Sequence, residues 1–256
     1  MPERGTRVGA WTWWDARGRL TKMKWHTIDG QLEREVVAGD RLGHAKEILY
    51  GGERKVSEQE LVDGLPHGTH TTWDGEGRKR ARENYRAGRK HGTATRFHAT
   101  GKKKEEGAYG EGLREGTWTT WSEKGRRKTE ATWAADKASG RWRWWHENGK
   151  VRQEKHFVDD VLHGRYARWD DKGRLLEEGT YDQGQKQGEW TTWRQGRKTR
   201  MVTFEQGAER EVTAWTYHEK GAPKSEEHTR DGKPVGTWTR WHEKGQKDEE
   251  GAYVDG

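Results

Sequence analysis

The sequence contains no cysteine and no long apolar segment. The absence of cysteine excludes a disulfide framework, a thiolate metal site, a cysteine nucleophile and a lipidated cysteine. No apolar run approaches the roughly 20 residues of a membrane-spanning helix, and the N-terminal MPERGTRVGAWTWW has no apolar stretch of signal-peptide length. We therefore expect a soluble, cytoplasmic protein.

Aliphatic residues are scarce as well. Leu, Ile, Val and Phe together number 27 of the 256 residues, and composition predicts disorder when their share falls below roughly 20%. The 17 tryptophans oppose that prediction, because each indole can bury on the order of 150–250 Å² and disordered chains are poor in aromatic residues. The low aliphatic content and the many tryptophans are compatible if small units each bury a few rings against their neighbours, as repeat proteins do. The 35 glycines disfavour long helices, since each internal glycine costs about 1 kcal/mol.

Charge of one sign is in small excess only. The chain has 50 Lys and Arg against 43 Asp and Glu, a formal net charge of +7 and a pI near 9.4. Both signs are interleaved through most of the sequence. Residues 78–106 differ, with eleven basic residues against three acidic ones. This stretch favours anionic partners through its long-range field.

A 24-residue repeat organises the sequence from residue 68 onward. Glycines recur at this period: Gly68, Gly92, Gly116, Gly140, Gly164, Gly188 and Gly236. Within a unit, two aromatic residues spaced by three follow the glycine, and another aromatic residue comes late in the unit. The paired positions include Trp118, Trp121, Trp169, Trp190, Trp193, Trp238 and Trp241, and the late position includes Tyr85, Tyr109, Tyr181 and Tyr253. We interpret all of these as structural positions of the repeat.

Each unit contains two short runs rich in Thr, Trp, Tyr and Val, separated by turns such as EKG, ENG and DQG. These are hairpin signals. They predict an all-β fold, an elongated array of antiparallel β-hairpins in a single-layer twisted meander or solenoid. We divide this one continuous domain into degenerate N-terminal repeats or a cap (1–67), with a candidate turn at Asp29-Gly30, and regular repeats (68–256).

The spacing of the paired aromatic residues leaves two arrangements open. Residues three apart on a regular strand lie on opposite faces of the sheet. Either both faces carry rings, or a bulge or turn near the glycine brings the pair to one side. We expect one face to carry most of the rings.

Several segments resemble the MORN-repeat superfamily, in particular the bacterial variant repeat of YwqK-type proteins. They are Tyr85-x-x-Gly88-x-x-x-Gly92, residues 181–193, and the E-E-G-x-Y segments at 105–109, 177–181 and 249–253. The resemblance covers residues 68–256 well and 1–67 poorly. It implies an array of β-hairpins and a role as the antitoxin half of a toxin–antitoxin pair. For related MORN proteins, binding of proteins or of lipid head groups has been proposed.

Some positions depart from the repeat pattern. Asp136 and Asp160 replace the second glycine of a turn, Val212 replaces the unit glycine, and Thr229 replaces the late aromatic residue. We expect the geometry of units 140–163 and 212–235 to be disturbed.

Histidines and glutamates recur at fixed repeat positions. His67, His91 and His163 precede the unit glycine, and His146, His218 and His242 follow the second aromatic residue. The glutamate ladder consists of Glu106, Glu130, Glu154, Glu178, Glu226 and Glu250. Equivalent positions give equivalent environments, whereas acid–base catalysis needs two carboxyl groups with different environments. We therefore predict cross-strand partners for Lys and Arg, and no catalytic residue, metal or cofactor.

Two sets of residues are candidates for interaction. The first is the adjacent tryptophans Trp13, Trp14, Trp144 and Trp145, of which at least one in each pair is expected to be exposed. The second is taken from the basic stretch: Arg78, Lys79, Arg80, Arg82, Lys102, Lys103 and Lys104. The alternative interpretation is that the rings replace an aliphatic core and that the basic stretch is a solvated edge.

The leading hypothesis is a non-enzymatic scaffold that binds a protein partner such as a toxin and neutralises it by occlusion. Trp, Tyr and Arg dominate the energetics of such interfaces. The alternative is binding of anionic surfaces, either membrane phospholipid head groups or nucleic acid, through residues 78–106 and exposed tryptophans.

Overall fold

The computed structural model describes residues 9–26 and 31–254. These residues form 23 β-strands and no helix, and neighbouring strands pair antiparallel. The predicted all-β fold of antiparallel hairpins is therefore confirmed. The candidate turn at Asp29-Gly30 lies outside the described residues.

Residue contacts divide the chain into two compact units, Met1–Arg127 with Trp133–Asp136, and Lys128–Thr132 with Lys137–Gly256. The strands of unit 1 are β1 (Gly9–Trp14), β2 (Leu20–His26), β3 (Leu32–Ala38), β4 (His44–Gly51), β5 (Arg54–Val62), β6 (Leu65–Trp73), β7 (Lys79–Arg86), β8 (Arg89–Phe97), β9 (Lys103–Gly110) and β10 (Leu113–Trp121). Strand β11 (Arg127–Ala134) contributes residues to both units. The predicted boundary between residues 67 and 68 does not coincide with this division and stays a prediction.

The strands of unit 2 follow β11 in chain order. They are β12 (Lys137–Ala138), β13 (Gly140–Trp145), β14 (Val151–Val158), β15 (Val161–Trp169), β16 (Leu175–Asp182), β17 (Gln185–Arg194), β18 (Arg197–Glu205), β19 (Ala208–Tyr217), β20 (Pro223–Arg230), β21 (Lys233–Pro234), β22 (Gly236–Trp241) and β23 (Lys247–Tyr253).

In most of the two-residue turns both residues lie in the left-handed region, whereas the turn between β4 and β5 has a positive φ at Gly52 and not at Glu53. Between β16 and β17 the two residues are Gln183 (φ 47°) and Gly184 (φ 82°), which is the pattern of a type I′ turn, whose twist matches that of the flanking strands. Asp136 and Asp160 adopt the same region, with φ of 66° and 70°. The expectation that these substitutions disturb unit 140–163 is wrong at the turns, because aspartate tolerates this conformation.

The short turns also connect each hairpin to the preceding one. The backbone N–H of Gly184 donates to the carbonyl oxygen of Leu162 at 2.8 Å, and Gly112 donates to Lys90 at 2.8 Å. Asp160 makes the equivalent bond, to Ala138 at 2.9 Å. Backbone groups of a turn that would otherwise need water are therefore satisfied within the repeat.

A bulge surrounds the unit glycine. Glu178 pairs with Thr191 and Thr180 with Gln187, so β17 contains two residues more than β16 over this stretch, and Gly188 lies there with φ of 64°. In the unit with Val212, the shift between β18 and β19 is one residue only, at Thr203. The predicted disturbance of unit 212–235 is thus confirmed, because valine disfavours the left-handed region that the larger bulge requires.

Aromatic rings build the small core of unit 2. Trp190 is 2% exposed, and its ring centroid lies 4.9 Å from that of Tyr181, 5.2 Å from Tyr166 and 6.2 Å from Phe204. In unit 1, Trp118 packs edge-on against Tyr109, with 4.9 Å between ring centroids. Rings therefore substitute for the missing aliphatic core, as the alternative interpretation of the tryptophans states.

The paired aromatic residues point to opposite faces. The bulge at Trp193 inserts its extra residue in β18, not in β17, so Trp190 and Trp193 keep the opposite orientation that their spacing dictates. Both faces carry rings, although the first and late ring positions share one face, as expected. We call the face of Trp118 in unit 1, and that of Trp190 in unit 2, the ring face, and the opposite one the polar face.

Candidate functional site: basic grooves on the polar face

The glutamate ladder pairs with arginines on adjacent strands. The buried carboxylate of Glu154 accepts a hydrogen bond from Arg143 Nε at 2.7 Å. Glu178 Oε2 lies 3.4 Å from Arg165 Nη2. The predicted cross-strand role is confirmed at Glu154 and Glu178, whereas Glu106 and Glu250 form ion pairs with Lys103 and Lys247 of their own strands.

Burial alone would raise the pKa of the Glu154 carboxyl. The hydrogen bond from Arg143 and the positive charges of Arg143, His156 and Arg141 outweigh burial and hold this pKa below its usual range. Glu154 is therefore a stable anion inside a positively charged environment.

Three histidines after the second aromatic residue join successive hairpins, whereas His242 Nε2 lies 3.0 Å from the Asp248 carboxylate. In these three, Nε2 lies 2.7–2.9 Å from the carbonyl oxygen of the second tryptophan of the next unit. The pairs are His98 with Trp121, His146 with Trp169, and His218 with Trp241. Because a carbonyl oxygen only accepts, each Nε2 carries the hydrogen and donates. These histidines thus serve the repeat.

Titratable groups do not assemble into a metal cluster in the described part of the chain, where no three His, Asp or Glu side chains lie close enough to hold an ion. Within residues 9–26 and 31–254, no helix is long and apolar enough to cross a membrane.

Three of the predicted basic residues support turns. Arg78 and Arg80 lie 2.9 and 3.8 Å from the Asp74 carboxylate. Lys102 Nζ donates to the backbone carbonyl of Lys124 at 3.2 Å. Such contacts account for these side chains without any partner molecule.

Other predicted basic residues line a groove of about 460 Å³ on the polar face of β7, β8 and β9. Its lining includes Lys79, Arg82, Thr95, Phe97, Lys103 and Glu106. Lys103 pairs with Glu106 at 2.6 Å. We call this the lysine groove. The side chains of Lys79 and Arg82 are exposed and make no ion pair or hydrogen bond with the residues that the structure describes. The same holds for Lys104, which does not line the groove.

A second groove, of about 610 Å³, lies on the polar face of β13, β14 and β15. Its lining includes Arg141, Arg143, Lys150, Glu154, Arg165 and Trp169. We call this the arginine groove. This groove is not predicted from the sequence, because the basic residues of 141–165 are interleaved with four acidic ones and leave no strong local excess of charge. A usable signal existed, since Arg141 and Arg165 stand where other units have threonine, as at Thr93 and Thr117.

The adjacent tryptophans differ in exposure. Trp13 and Trp14 are 39% and 61% exposed, as expected. Trp144 and Trp145 are both half-buried, and the Trp144 ring centroid lies 5.9 Å from that of Trp142. The expected exposure is therefore wrong for the second pair, whose rings pack within the hairpin.

Comparison with known families supports the repeat. Residues 90–109 and 138–159 match the family model described as MORN repeat variant. No curated protein matches the sequence.

Solved structures show only remote likeness. A crystal structure of TcdB2-TccC3-Cdc42 is 11% identical with a TM-score of 0.21, over 95% of this chain and 16% of that chain. A crystal structure of TcdB2-TccC3 without its hypervariable C-terminal region is 10% identical with a TM-score of 0.20, over 96% of this chain and 17% of that chain. A porin-like protein from Bacteroides uniformis ATCC 8492 is 11% identical with a TM-score of 0.19, over 90% of this chain and 86% of that chain. This chain thus spans a small fraction of the first of these proteins.

Proposed function

We propose that this protein is a non-enzymatic repeat scaffold that binds a protein partner through the polar face. One observation carries the proposal. Recurring side chains such as Trp190, Glu154 and His146 have partners inside the repeat. The side chains of Lys79, Arg82 and Arg141, in contrast, are exposed without a hydrogen bond or ion pair to any described residue. Side chains that the fold does not use are available to a partner.

The polar face fits a partner with an acidic surface. Complementary charge steers encounter and sets specificity, and half-buried rings such as Trp169 beside Arg165 provide the residue types that dominate interface energetics. The mechanism would be occlusion of the partner, and the resemblance to YwqK-type proteins makes an antitoxin-like neutralisation the specific form of this proposal.

The test is capture of partners from a lysate of the source cells on the tagged full chain, with nuclease, at physiological salt. We expect one protein at near-equal amount, lost with Arg82→Glu and retained with Arg86→Glu. Both arginines are exposed on β7 without a described side-chain partner, but only Arg82 lines the lysine groove. Recovery of nucleic acid or lipid alone would contradict the proposal.

The second candidate function is binding of membrane phospholipid head groups or nucleic acid through residues 78–106. The observation that favours it is the lysine groove, where Lys79 and Arg82 flank Phe97, together with the exposed ring of Trp14. Single-stranded nucleic acid sites combine such basic grooves with aromatic rings.

This candidate is tested with phosphatidylserine vesicles and single-stranded DNA. Binding should weaken with added salt and with charge reversal at Lys102, Lys103 and Lys104. If binding survives both changes, the candidate is wrong.

A further inference from the structure

The arginine groove has a charge composition that the repeat does not require. Four cationic side chains line it, those of Arg141, Arg143, Lys150 and Arg165, together with one carboxylate, that of Glu154. Lys150 is a basic position of the repeat, with Lys102, Arg126 and Arg174 as its equivalents. The positions equivalent to Arg141 and Arg143 hold Thr117 and Thr119 in the preceding unit, which forms the same hairpin. The arginines are therefore available for a purpose other than folding.

Glu154 organises the groove. Its Oε2 accepts from Arg143 Nε at 2.7 Å, and its Oε1 lies 4.0 Å from Arg165 Nη1 and 3.6 Å from His156 Nε2. A fixed guanidinium loses less conformational freedom when it binds a ligand. Because only Nε of Arg143 is engaged, its two terminal nitrogens make no hydrogen bond with the described residues.

Space is available in front of these donors, because the groove that they line measures about 610 Å³. Glu154 pairs in register with Ala167 on β15. Ala167 is fully buried and does not line the groove, so the lining is provided by longer side chains such as those of Arg141, Arg143 and Arg165.

One further carboxylate faces the groove from the next strand. Glu178 Oε2 lies 3.4 Å from Arg165 Nη2. Lys150 Nζ donates to the backbone carbonyl of Lys172 at 2.7 Å. Glu130 on β11 pairs in register with Arg143 and lies on the same face. When these three glutamates are counted, the four cationic side chains exceed the carboxylates by one.

We propose that the arginine groove binds a phosphate monoester of a small molecule. A phosphate monoester carries about −1.5 to −2 charge at pH 7 and three acceptor oxygens, and these oxygens suit the forked donors of Arg141, Arg143 and Arg165. Val151 and Trp169 form an apolar part of the lining that fits the organic portion of such a molecule. This site goes beyond the proposed function, and its test needs no protein partner.

The experiment is isothermal titration of the full chain with phenyl phosphate and with inorganic phosphate at constant ionic strength. We expect both to bind, phenyl phosphate more tightly because of the contact with Trp169. Arg141→Gln and Arg165→Gln should each weaken binding about tenfold, the typical effect of losing a charged hydrogen bond. Arg152→Gln is the matched control, since Arg152 is exposed on β14 but does not line the groove.

Three results would overturn the proposal. They are no binding of either phosphate, equal weakening by Arg152→Gln and Arg141→Gln, and binding of phosphatidic acid vesicles without binding of phenyl phosphate. Equal weakening would show diffuse charge attraction, and binding of vesicles alone would place the phosphate group on a membrane surface. None of these results bears on the binding of a protein partner by the polar face.

Discussion

Gly179 provides the space in which the most buried ring of unit 2 lies. A Cβ built on Gly179 would overlap the indole of Trp190, and one built on Gly107 would overlap that of Trp118. At Gly251 the nearest atom of Trp238 would be 2.6 Å from such a Cβ. These glycines are the third residue of the three E-E-G-x-Y segments, so this motif places a flat surface beneath a tryptophan of the adjacent strand.

Replacing Gly179 with alanine should destabilise unit 2. The added methyl must displace a ring that is packed on several sides, and overpacking of this kind costs about 1–3 kcal/mol. Gly179 does not have a left-handed φ, so the effect reports the ring contact and not backbone strain. Chemical denaturation followed by tryptophan fluorescence measures the free energy of unfolding.

Gly75→Ala is the control for this prediction. A Cβ at Gly75 meets no atom within 4 Å, and its φ lies outside the left-handed region. Its free energy of unfolding should stay within about 0.5 kcal/mol of the parent protein. Equal effects at Gly75 and Gly179 would show that the indole does not depend on the bare glycine.

The side chain that begins the longer turn of a hairpin differs between units. Asp170 Oδ1 accepts from the backbone N–H groups of Lys172 and Arg174 at 3.0 and 2.8 Å, and Arg174 Nε donates to Oδ2 at 2.7 Å. Where histidine takes the aspartate position, as at His218, the side chain instead donates to the next hairpin, at Trp241. One choice stabilises the turn itself and the other the contact between hairpins.

Whether the aspartate turn can replace the histidine contact is testable at His218. His218→Ala should cost about 0.5–1.5 kcal/mol, the net value of one hydrogen bond. The double variant His218→Asp with Ala222→Arg recreates the contacts of Asp170 and Arg174 and should recover much of this loss in a denaturation experiment. A double variant no more stable than His218→Ala would mean that the two turn chemistries are not interchangeable.

Much of this element-level structure is predictable from sequence. Turn dipeptides such as Gln183-Gly184 specify type I′ geometry locally, and the 24-residue period follows from the glycines. The bulge at Gly188 is not predictable in the same way, because it is defined by the pairing of β16 with β17 and not by either strand alone. The same holds for Gly179, whose function depends on which ring lies above it.

At the scale of the molecule, sequence predicted the fold and part of the candidate site. The basic stretch did contain residues of the lysine groove, because residues 78–106 have eleven basic residues against three acidic ones. The arginine groove could not be predicted in the same way, since residues 141–165 have six basic residues against four acidic ones. A local excess of charge thus marked one groove and not the other, although strand register brings the residues of both together.

Each unit is held together mainly by contacts between strands adjacent in sequence, and this arrangement predicts a local response to mutation. In repeat proteins stability is approximately a sum of terms for each repeat and its neighbours. Trp190→Ala removes the central ring of unit 2 and should cost about 3–5 kcal/mol there. Amide hydrogen exchange should accelerate in β16, β17 and β18, while β4 and β5 of unit 1 keep their protection.

Trp14→Ala is the matched control, because the same side chain is removed from an exposed position. It should leave exchange in β16, β17 and β18 unchanged, since a ring that is largely in water contributes little burial. Loss of protection in β4 and β5 on Trp190→Ala would instead show that the two units unfold as one cooperative structure, and that the rings of unit 2 support the whole chain.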